Sequence, residues 1–386
     1  MIRYLRTFLA ACALLAGACA SAPAARAQAH WDGVSRVVAV GDLHGDYEKF
    51  ADMLRTANLI DTQGNWVGGR AHLVQLGDIP DRGPNSRMIM DHLMRLEPQA
   101  RRAGGYVHAL IGNHEAMNVE GDLRYVHPGE YAAFANAGSE RRRQRYYRAT
   151  LDALRARPPA SGLPVFDDAF RAQWESTYPL GYVEHREAWG PNGRYGRWIA
   201  SHDAVIRIND TLFVHGGLGP SFVTPSADVM NDAVRGALQG RPDPVYLDIV
   251  TNQEGPLWYR GLSLNAEETE RANLEALLTR HGVARIVVGH TKRASTVWPR
   301  FNGRVLIADI VVPAGFSDPH AYLEIDGNLT TIYRGTRVPL RAATRDETCA
   351  YLAAIAALDE AGSPNTTAAA QCATPAAAEA IPGSAE

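Results

Sequence analysis

The sequence predicts an α/β protein in which short strands run into polar loops led by glycine and helices cover the strands. Two observations predict it. The apolar, β-branched runs Val37-Val38-Ala39-Val40, Leu73-Val74-Gln75-Leu76 and Val107-His108-Ala109-Leu110-Ile111 have strand length, and each stops at a glycine. Helical stretches near Tyr47–Thr56 and Ser86–Arg102 lie between them. In sheets with helical crossovers, ligand sites collect outside the carboxyl ends of the strands, so loops distant in sequence can meet there.

Taken in order, strands are expected at Val37–Val40, Leu73–Leu76, Val107–Ile111, Val205–Ile208, Leu212–Val214, Ile286–Val288, Val305–Ile307 and Tyr322–Ile325. Helices are expected near Tyr47–Thr56, Ser86–Arg102, Asp228–Leu238 and Ala266–His281, the whole forming three central layers. Residues 130–190 read as a helical insertion containing the run Glu140-Arg141-Arg142-Arg143-Gln144-Arg145-Tyr146-Tyr147-Arg148. A solvated helix face is the default reading of that run, and a docking surface for acidic phosphorylated segments the sharper one. Tyr125, Tyr131, Tyr182 and Trp189 belong to core packing by default and to a substrate rim otherwise. Beyond Arg337 the pattern fades: Asp346 to Leu358 suits one Ala-rich helix, and Gly362 to Glu386 has the composition of a disordered tail.

Three strand-ending loops carry the chemistry: Gly41-Asp42-Leu43-His44-Gly45, Gly77-Asp78-Ile79-Pro80-Asp81-Arg82-Gly83 and Gly112-Asn113-His114-Glu115. Glycine permits the sharp exit and a close backbone approach. Two later loops repeat the arrangement, His215-Gly216-Gly217 after Thr211–Val214 and Gly289-His290-Thr291 after Arg285–Val288. A lone histidine after a strand is usually structural, and Asn113-His114 alone could be a turn. Five ordered loops offering Asp, His, Asp, Asn and His form a mixed oxygen and nitrogen donor set suited to first-row divalent ions. Two such ions about 3.5–4 Å apart clamp the attacking and leaving oxygens of an in-line phosphoryl displacement. Asp78, in the middle loop, is the natural shared bridge.

These five motifs resemble the calcineurin-like metallophosphoesterases, and the complete second motif with Asp81-Arg82 narrows the resemblance to the phosphoprotein phosphatase branch. The continuation Glu115-Ala116-Met117-Asn118-Val119-Glu120-Gly121-Asp122-Leu123-Arg124-Tyr125-Val126 and the segment Gly255-Pro256-Leu257-Trp258-Tyr259-Arg260-Gly261 are similar to the Shewanella-like protein phosphatases. The resemblance covers about Val34 to about Arg337.

It implies a two-sheet β-sandwich flanked by helices with a dimetal site at the sandwich edge. It also implies Asp42, His44 and Asp78 around one ion, and Asp78, Asn113, His215 and His290 around the other. Manganese, or iron and zinc, are the expected metals. His114 becomes the general acid for the leaving oxygen, with Asp81 orienting its ring, while Arg82, Arg260 and Asn113 hold the substrate phosphate. The Arg260 assignment rests on its Trp258-Tyr259-Arg260 context.

The implied activity is hydrolysis of phosphotyrosine or phosphoserine/threonine in a phosphorylated protein or peptide, by direct attack of a metal-bridging hydroxide. An exported nucleotidase or phosphodiesterase on the same scaffold is the alternative. His290 is followed by Thr291-Lys292, so the second histidine common in diesterases is missing.

Composition suits a globular enzyme: 386 residues, 46% hydrophobic and 21% charged. Arg3 and Arg6 precede an apolar stretch from Phe8 to Ala20, too short for a bilayer span, and Ala25-Arg26-Ala27-Gln28-Ala29 offers small-residue cleavage sites. Residues 1–29 therefore read as a signal peptide cleaved after Ala29, residues 30–340 as the catalytic domain and 341–386 as the C-terminal helix and tail. The expected destination is the periplasm or exterior. No stable membrane association is expected after cleavage, and the oligomeric state is open. Cys12 and Cys19 are poor lipidation sites.

Cleavage removes three arginines and no acid, moving the formal charge from −3 to −6 and arguing against nucleic-acid binding. Of the four cysteines, Cys349 and Cys372 remain, and an oxidising compartment permits a disulfide between them.

Overall fold

The computed structural model describes residues 28–310 and 320–373. Twelve strands are described: β1 (His30–Trp31), β2 (Val37–Val40), β3 (His72–Gln75), β4 (Tyr106–Ala109), β5 (Val205–Ile208), β6 (Thr211–Val214), β7 (Arg285–Val288), β8 (Trp298–Arg300), β9 (Val305–Ile307), β10 (Ala321–Ile325), β11 (Leu329–Tyr333) and β12 (Thr336–Pro339). They form two six-stranded sheets, ordered β12-β11-β10-β2-β3-β4 and β1-β5-β6-β7-β9-β8.

Alternation along the strands explains why two sheets face each other. Val37 and Ala39 point one way and share an apolar cluster with Ile206, Phe213, Val287 and Leu306 of the second sheet. Val38 and Val40 point the other way and pack under helices, with Phe50, Leu54 and Leu93. The order is therefore helices, sheet, sheet, helices, the helix-flanked two-sheet sandwich that the resemblance implies and one layer more than the three read from the apolar runs. A purely apolar run in the sequence does not say what covers each of its two faces.

Within the first sheet β2, β3 and β4 are parallel, and within the second β6, β7 and β9 are parallel. Their carboxyl ends place all five motif loops at one edge of the sandwich. The helices of the first half are α1 (Tyr47–Thr56), α2 (Ser86–Arg102) and α3 (Asn113–Glu120). The third motif thus opens a helix where a loop was read. Glu115 makes this possible by accepting the amide of Gly112 at 2.8 Å, while Gly121 closes α3 in a left-handed conformation.

The inserted region holds α4 (Pro128–Phe134), α5 (Ser139–Ala156), α6 (Asp168–Thr177), α7 (Tyr182–Trp189) and α8 (Arg194–Ile199). It packs on aromatic rings: Tyr178 lies 4.8 Å from Trp174 and 4.9 Å from Tyr182, centroid to centroid, and Trp189 is fully buried. Arg142 pairs with Glu184 of α7 at 3.1 Å and Arg143 with Glu175 of α6 at 3.6 Å, so this part of the basic run knits the insertion together.

The second half adds α9 (Ala227–Leu238), α10 (Gly261–Leu264), α11 (Glu267–His281), α12 (Arg345–Ala356) and α13 (Pro364–Ala373). α13 occupies part of the stretch expected to be a tail. Asn365 anchors it, donating to the Tyr333 hydroxyl at 2.9 Å and to Asp359 at 2.8 Å, and the disulfide Cys349–Cys372 joins it to α12. Residues 374–386 of that tail lie outside the described residues, as do residues 1–27 of the segment expected to be a signal peptide. Ala29 is described: it is 3% exposed and its carbonyl accepts from the Arg207 amide at 2.8 Å, so the folded body starts ahead of His30. Among the described residues no helix is long and apolar enough to cross a membrane.

Candidate metal centre

Each motif loop is held by a neighbour's backbone. Leu43 and His44 both donate their amides to the Asp78 carbonyl at 3.0 Å, stitching the first loop to the second. The second loop is strongly bent, with positive φ at Gly77, Asp78, Asp81 and Arg82. Glu115 supports that bend: its carboxylate accepts from the amides of Asp78 (2.9 Å) and Ile79 (2.8 Å) as well as Gly112. Its function in the sequence motif is therefore to brace the Asp78 loop against α3. Strain of this kind persists where surrounding contacts over-determine the backbone, commonly at functional sites.

Asp78 sits at the centre. Its Oδ1 accepts from the His114 amide at 3.0 Å and lies 3.2 Å from His215 Nε2, and its Oδ2 lies 3.8 Å from His114 Nε2. Around it two donor groups converge, each with its atoms within 4.8 Å of one another: His44, Asp78 and His114, and Asp78, His215 and His290. Asp42 stands 3.8 Å from His44 Nε2 and accepts from the His290 amide at 3.1 Å. Asn113 Oδ1 lies 3.0 Å from His215 Nε2.

Two of the histidines have one ring nitrogen fixed by backbone, which leaves the other for the site: His44 Nδ1 donates to the Pro80 carbonyl (3.0 Å) and His215 Nδ1 to the Leu76 carbonyl (2.8 Å). His290 Nε2 is buried with no hydrogen-bond partner among the described residues. Its Nδ1 lies 3.2 Å from His215 Nε2, so the ring joins a cluster of buried imidazoles and carboxylates, which is what a metal site looks like in its protein atoms alone. The residues fit two divalent ions sharing Asp78.

Electrostatics agree. Burial and the neighbouring Asp78 push Asp42 up to about 6, and burial followed by Asp78 pushes Glu115 up to about 7. Burial also works against charging His215, but Asp78 and Asp42 outweigh it and hold the ring up at about 10. At Asp78 burial is overcome by His215, His114 and His44, which keep it well below the usual carboxylate range. Crowded buried carboxylates balanced by crowded imidazoles make a place that favours added positive charge.

His114 has the geometry of an acid. Its Nδ1 lies 2.5 Å from Asp81 Oδ2, and Asn118, one turn further along α3, donates to the other Asp81 oxygen at 2.9 Å. Burial opposes protonation of the ring, yet Asp78 and Asp81 raise its pKa overall. Asn118 is a member of this chain that motif reading did not single out, although its i+4 spacing from His114 was visible.

A cavity of about 400 Å³ opens over the site, lined by Asp42, His44, Asp78, Asn113, His114 and His290 together with Arg82 and Arg260. Asp81 lies behind His114 and His215 beneath the floor, so both act from outside the cavity. Arg260 reaches the site by donating to the His290 carbonyl at 2.8 Å. Tyr125 and Trp258 also line the cavity, their rings 5.2 Å from His114 and 5.8 Å from His290. Of the four rim candidates, Tyr125 alone reaches this cavity, while Trp189 is core. Asp309 lines it too and was not anticipated. It follows β9 through Ala308, without the glycine that marked the other loops.

Comparison with known proteins agrees with this geometry. Residues 35–294 match the family model described as calcineurin-like phosphoesterase. Shewanella-like protein phosphatase 2 of Arabidopsis thaliana is 32% identical over 75% of this chain and 75% of its own length. An uncharacterized protein of Schizosaccharomyces pombe is 31% identical over 79% of this chain and 82% of its own. Among solved structures, the cold-active protein-tyrosine phosphatase of a psychrophilic Shewanella is similar with a TM-score of 0.60 and 30% identity, covering 82% of this chain and 83% of that one.

Proposed function

Because this chain belongs to the calcineurin-like phosphoesterase family and is a metal-dependent protein phosphatase of that type, we propose that it hydrolyses phosphomonoesters on exported or extracellular phosphoproteins, phosphotyrosine among them, using two manganese ions or an iron and zinc pair. The observation that carries the reading is Asp78, common to two donor groups, with the His114–Asp81 pair directly beside it.

When bound, the two ions supply charge neutralisation and a water of lowered pKa. The chain does the rest. Arg82 and Arg260 face the cavity from opposite loops and present guanidinium forks to phosphate oxygens; they hold the phosphoryl group in line and stabilise charge on it as the ester bond breaks. Asn113 adds an amide beside them. His114, whose hold on a proton Asp78 and Asp81 strengthen against burial, donates the Nε2 proton to the departing seryl, threonyl or tyrosyl oxygen. Asp81, locked by Asn118, holds the ring in the orientation that directs Nε2 toward the cavity.

The phosphotyrosine element is supported by the name of the structural neighbour and by the aromatic walls of the cavity. Export is supported by the basic then apolar leader and by the Cys349–Cys372 disulfide, which persists in oxidising compartments. Initial rates of the manganese-loaded mature chain, with a chelated control, on phosphotyrosine, phosphoserine and phosphothreonine peptides, a nucleoside monophosphate and an aryl phosphodiester test the reading. Chelator-sensitive turnover concentrated on phosphopeptides is expected; faster turnover of the nucleotide or diester would replace it.

A further inference from the structure

One carboxylate at the site is left over by the six-residue ligand set. β9 ends at Ile307, and Ala308 donates its amide to the Val288 carbonyl at the end of β7 at 2.8 Å. The Ala308 carbonyl presses on the first motif loop so closely that a Cβ on residue 41 would lie 2.3 Å from it, so only glycine fits there. This clamp sets the Asp309 carboxyl against that of Asp42.

Asp309 is 2% exposed, and its Oδ2 has no hydrogen-bond partner among the described residues. It lines the cavity together with Asp42 and His44. Lys292 lines the same cavity but is solvent-exposed and makes no ion pair within 4 Å with either carboxylate among the described residues. Two buried carboxyl groups side by side, one with a bare oxygen, need a proton or a cation between them.

We propose that Asp309 is a further metal-binding carboxylate of the centre, serving the ion held by Asp42 and His44. That half of the site then becomes oxygen-rich and selects a hard ion such as manganese, whereas the His215 and His290 half stays nitrogen-rich. The inference rests on the metal-dependent reading of the same site. It explains why the first loop and the β9 end are clamped backbone to backbone: the contact fixes a ligand on each side of one ion.

Calorimetric titration of the metal-free full chain with manganese alone, and metal content after dialysis against limiting manganese, test it. The wild-type chain is expected to bind two ions. Asp309→Asn is expected to bind one ion with unchanged affinity and the second at least tenfold more weakly. Metal-free Asp309→Asn should be no less stable than the metal-free wild type, because a like charge beside Asp42 is gone, and should gain less in unfolding temperature when manganese is added. Two ions bound with wild-type affinities and an equal thermal gain would overturn the proposal. Asp309→Ser, smaller and uncharged, is expected to give the same loss and serves if the asparagine does not fold. A wild-type chain that binds two ions yet leaves phosphopeptides untouched would defeat the substrate reading without touching this one.

Discussion

Residues that hold the centre and residues that react occupy different places in it. His114 touches Asp81 and the cavity, whereas Asp78 touches both donor groups. Replacing His114 by Asn removes the acid but keeps the backbone amide that Asp78 accepts from, so kcat should fall by roughly 10²–10⁴ while metal content stays near two ions. Asp78→Asn should lower both, because the group shared by the two ions loses its charge. Rates paired with elemental analysis check this, and full activity in either variant would end the assignment. The six candidate ligand positions stand out in the sequence because each follows an apolar run and adjoins a glycine or another motif residue, and the fold brings them to one place. Asp309 was not, because Ala308 precedes it and only the packing of β9 against Gly41 brings it to the site. The bracing by Glu115 was equally hidden, since hydrogen bonds between loops leave no local pattern, whereas Asn118 showed only its i+4 spacing from His114 and not its bond to Asp81.

At the scale of elements, the insertion and the C-terminal helices are tied to the catalytic layers by a few specific contacts. Arg186 of α7 donates to the carbonyls of Asn118 and Val119, the last turn of the helix that carries Asn113 and His114. A cation on free carbonyls at a helix C-terminus is favourable both as a hydrogen bond and against the dipole. Arg186→Met should therefore cost about 2 kcal/mol in denaturant unfolding, with a fall in kcat that the distant Arg143→Met variant does not share. At the other end, the disulfide spans a sequence separation of 23 residues and joins α12 to α13. Opening a loop of that size typically costs about 3 kcal/mol. Reductant should lower the unfolding temperature yet leave turnover at 25 °C unchanged, because neither helix supplies a residue to the lining of the cavity. An equal loss of activity would mean that the C-terminal helices support the site directly. The helical character of the insertion was readable from its composition; the use of Arg142 and Arg143 as internal staples was not, because a run of arginines looks the same whether its partners are solvent or glutamates.

At the scale of the whole molecule, buried histidines outside the site set the response to acid. His185 lies among Tyr131, Phe134 and Trp189, its Nδ1 buried without a partner, and burial lowers it to about 3. His108 is lowered well below the usual range by burial and by His72, and His72 is lowered to about 4 by burial. These rings share Trp31 of β1 as a neighbour, so the pair supports the edge where the described chain begins. A histidine whose folded pKa is depressed binds its proton only on unfolding. Its contribution is complete above the unfolded value near 6.5 and is lost as pH falls from there toward 4. For a fully buried ring the slope reaches about 1.4 kcal/mol per pH unit. The unfolding temperature of the metal-free protein should thus drop steadily between pH 6.5 and pH 4.5, before most carboxylates titrate. His185→Phe keeps an aromatic ring among the same neighbours and should flatten that drop while changing little at pH 7.5. If the variant and the wild type fall in parallel, the drop belongs to the other depressed histidines, His72 and His108, and the insertion is not where protons enter first.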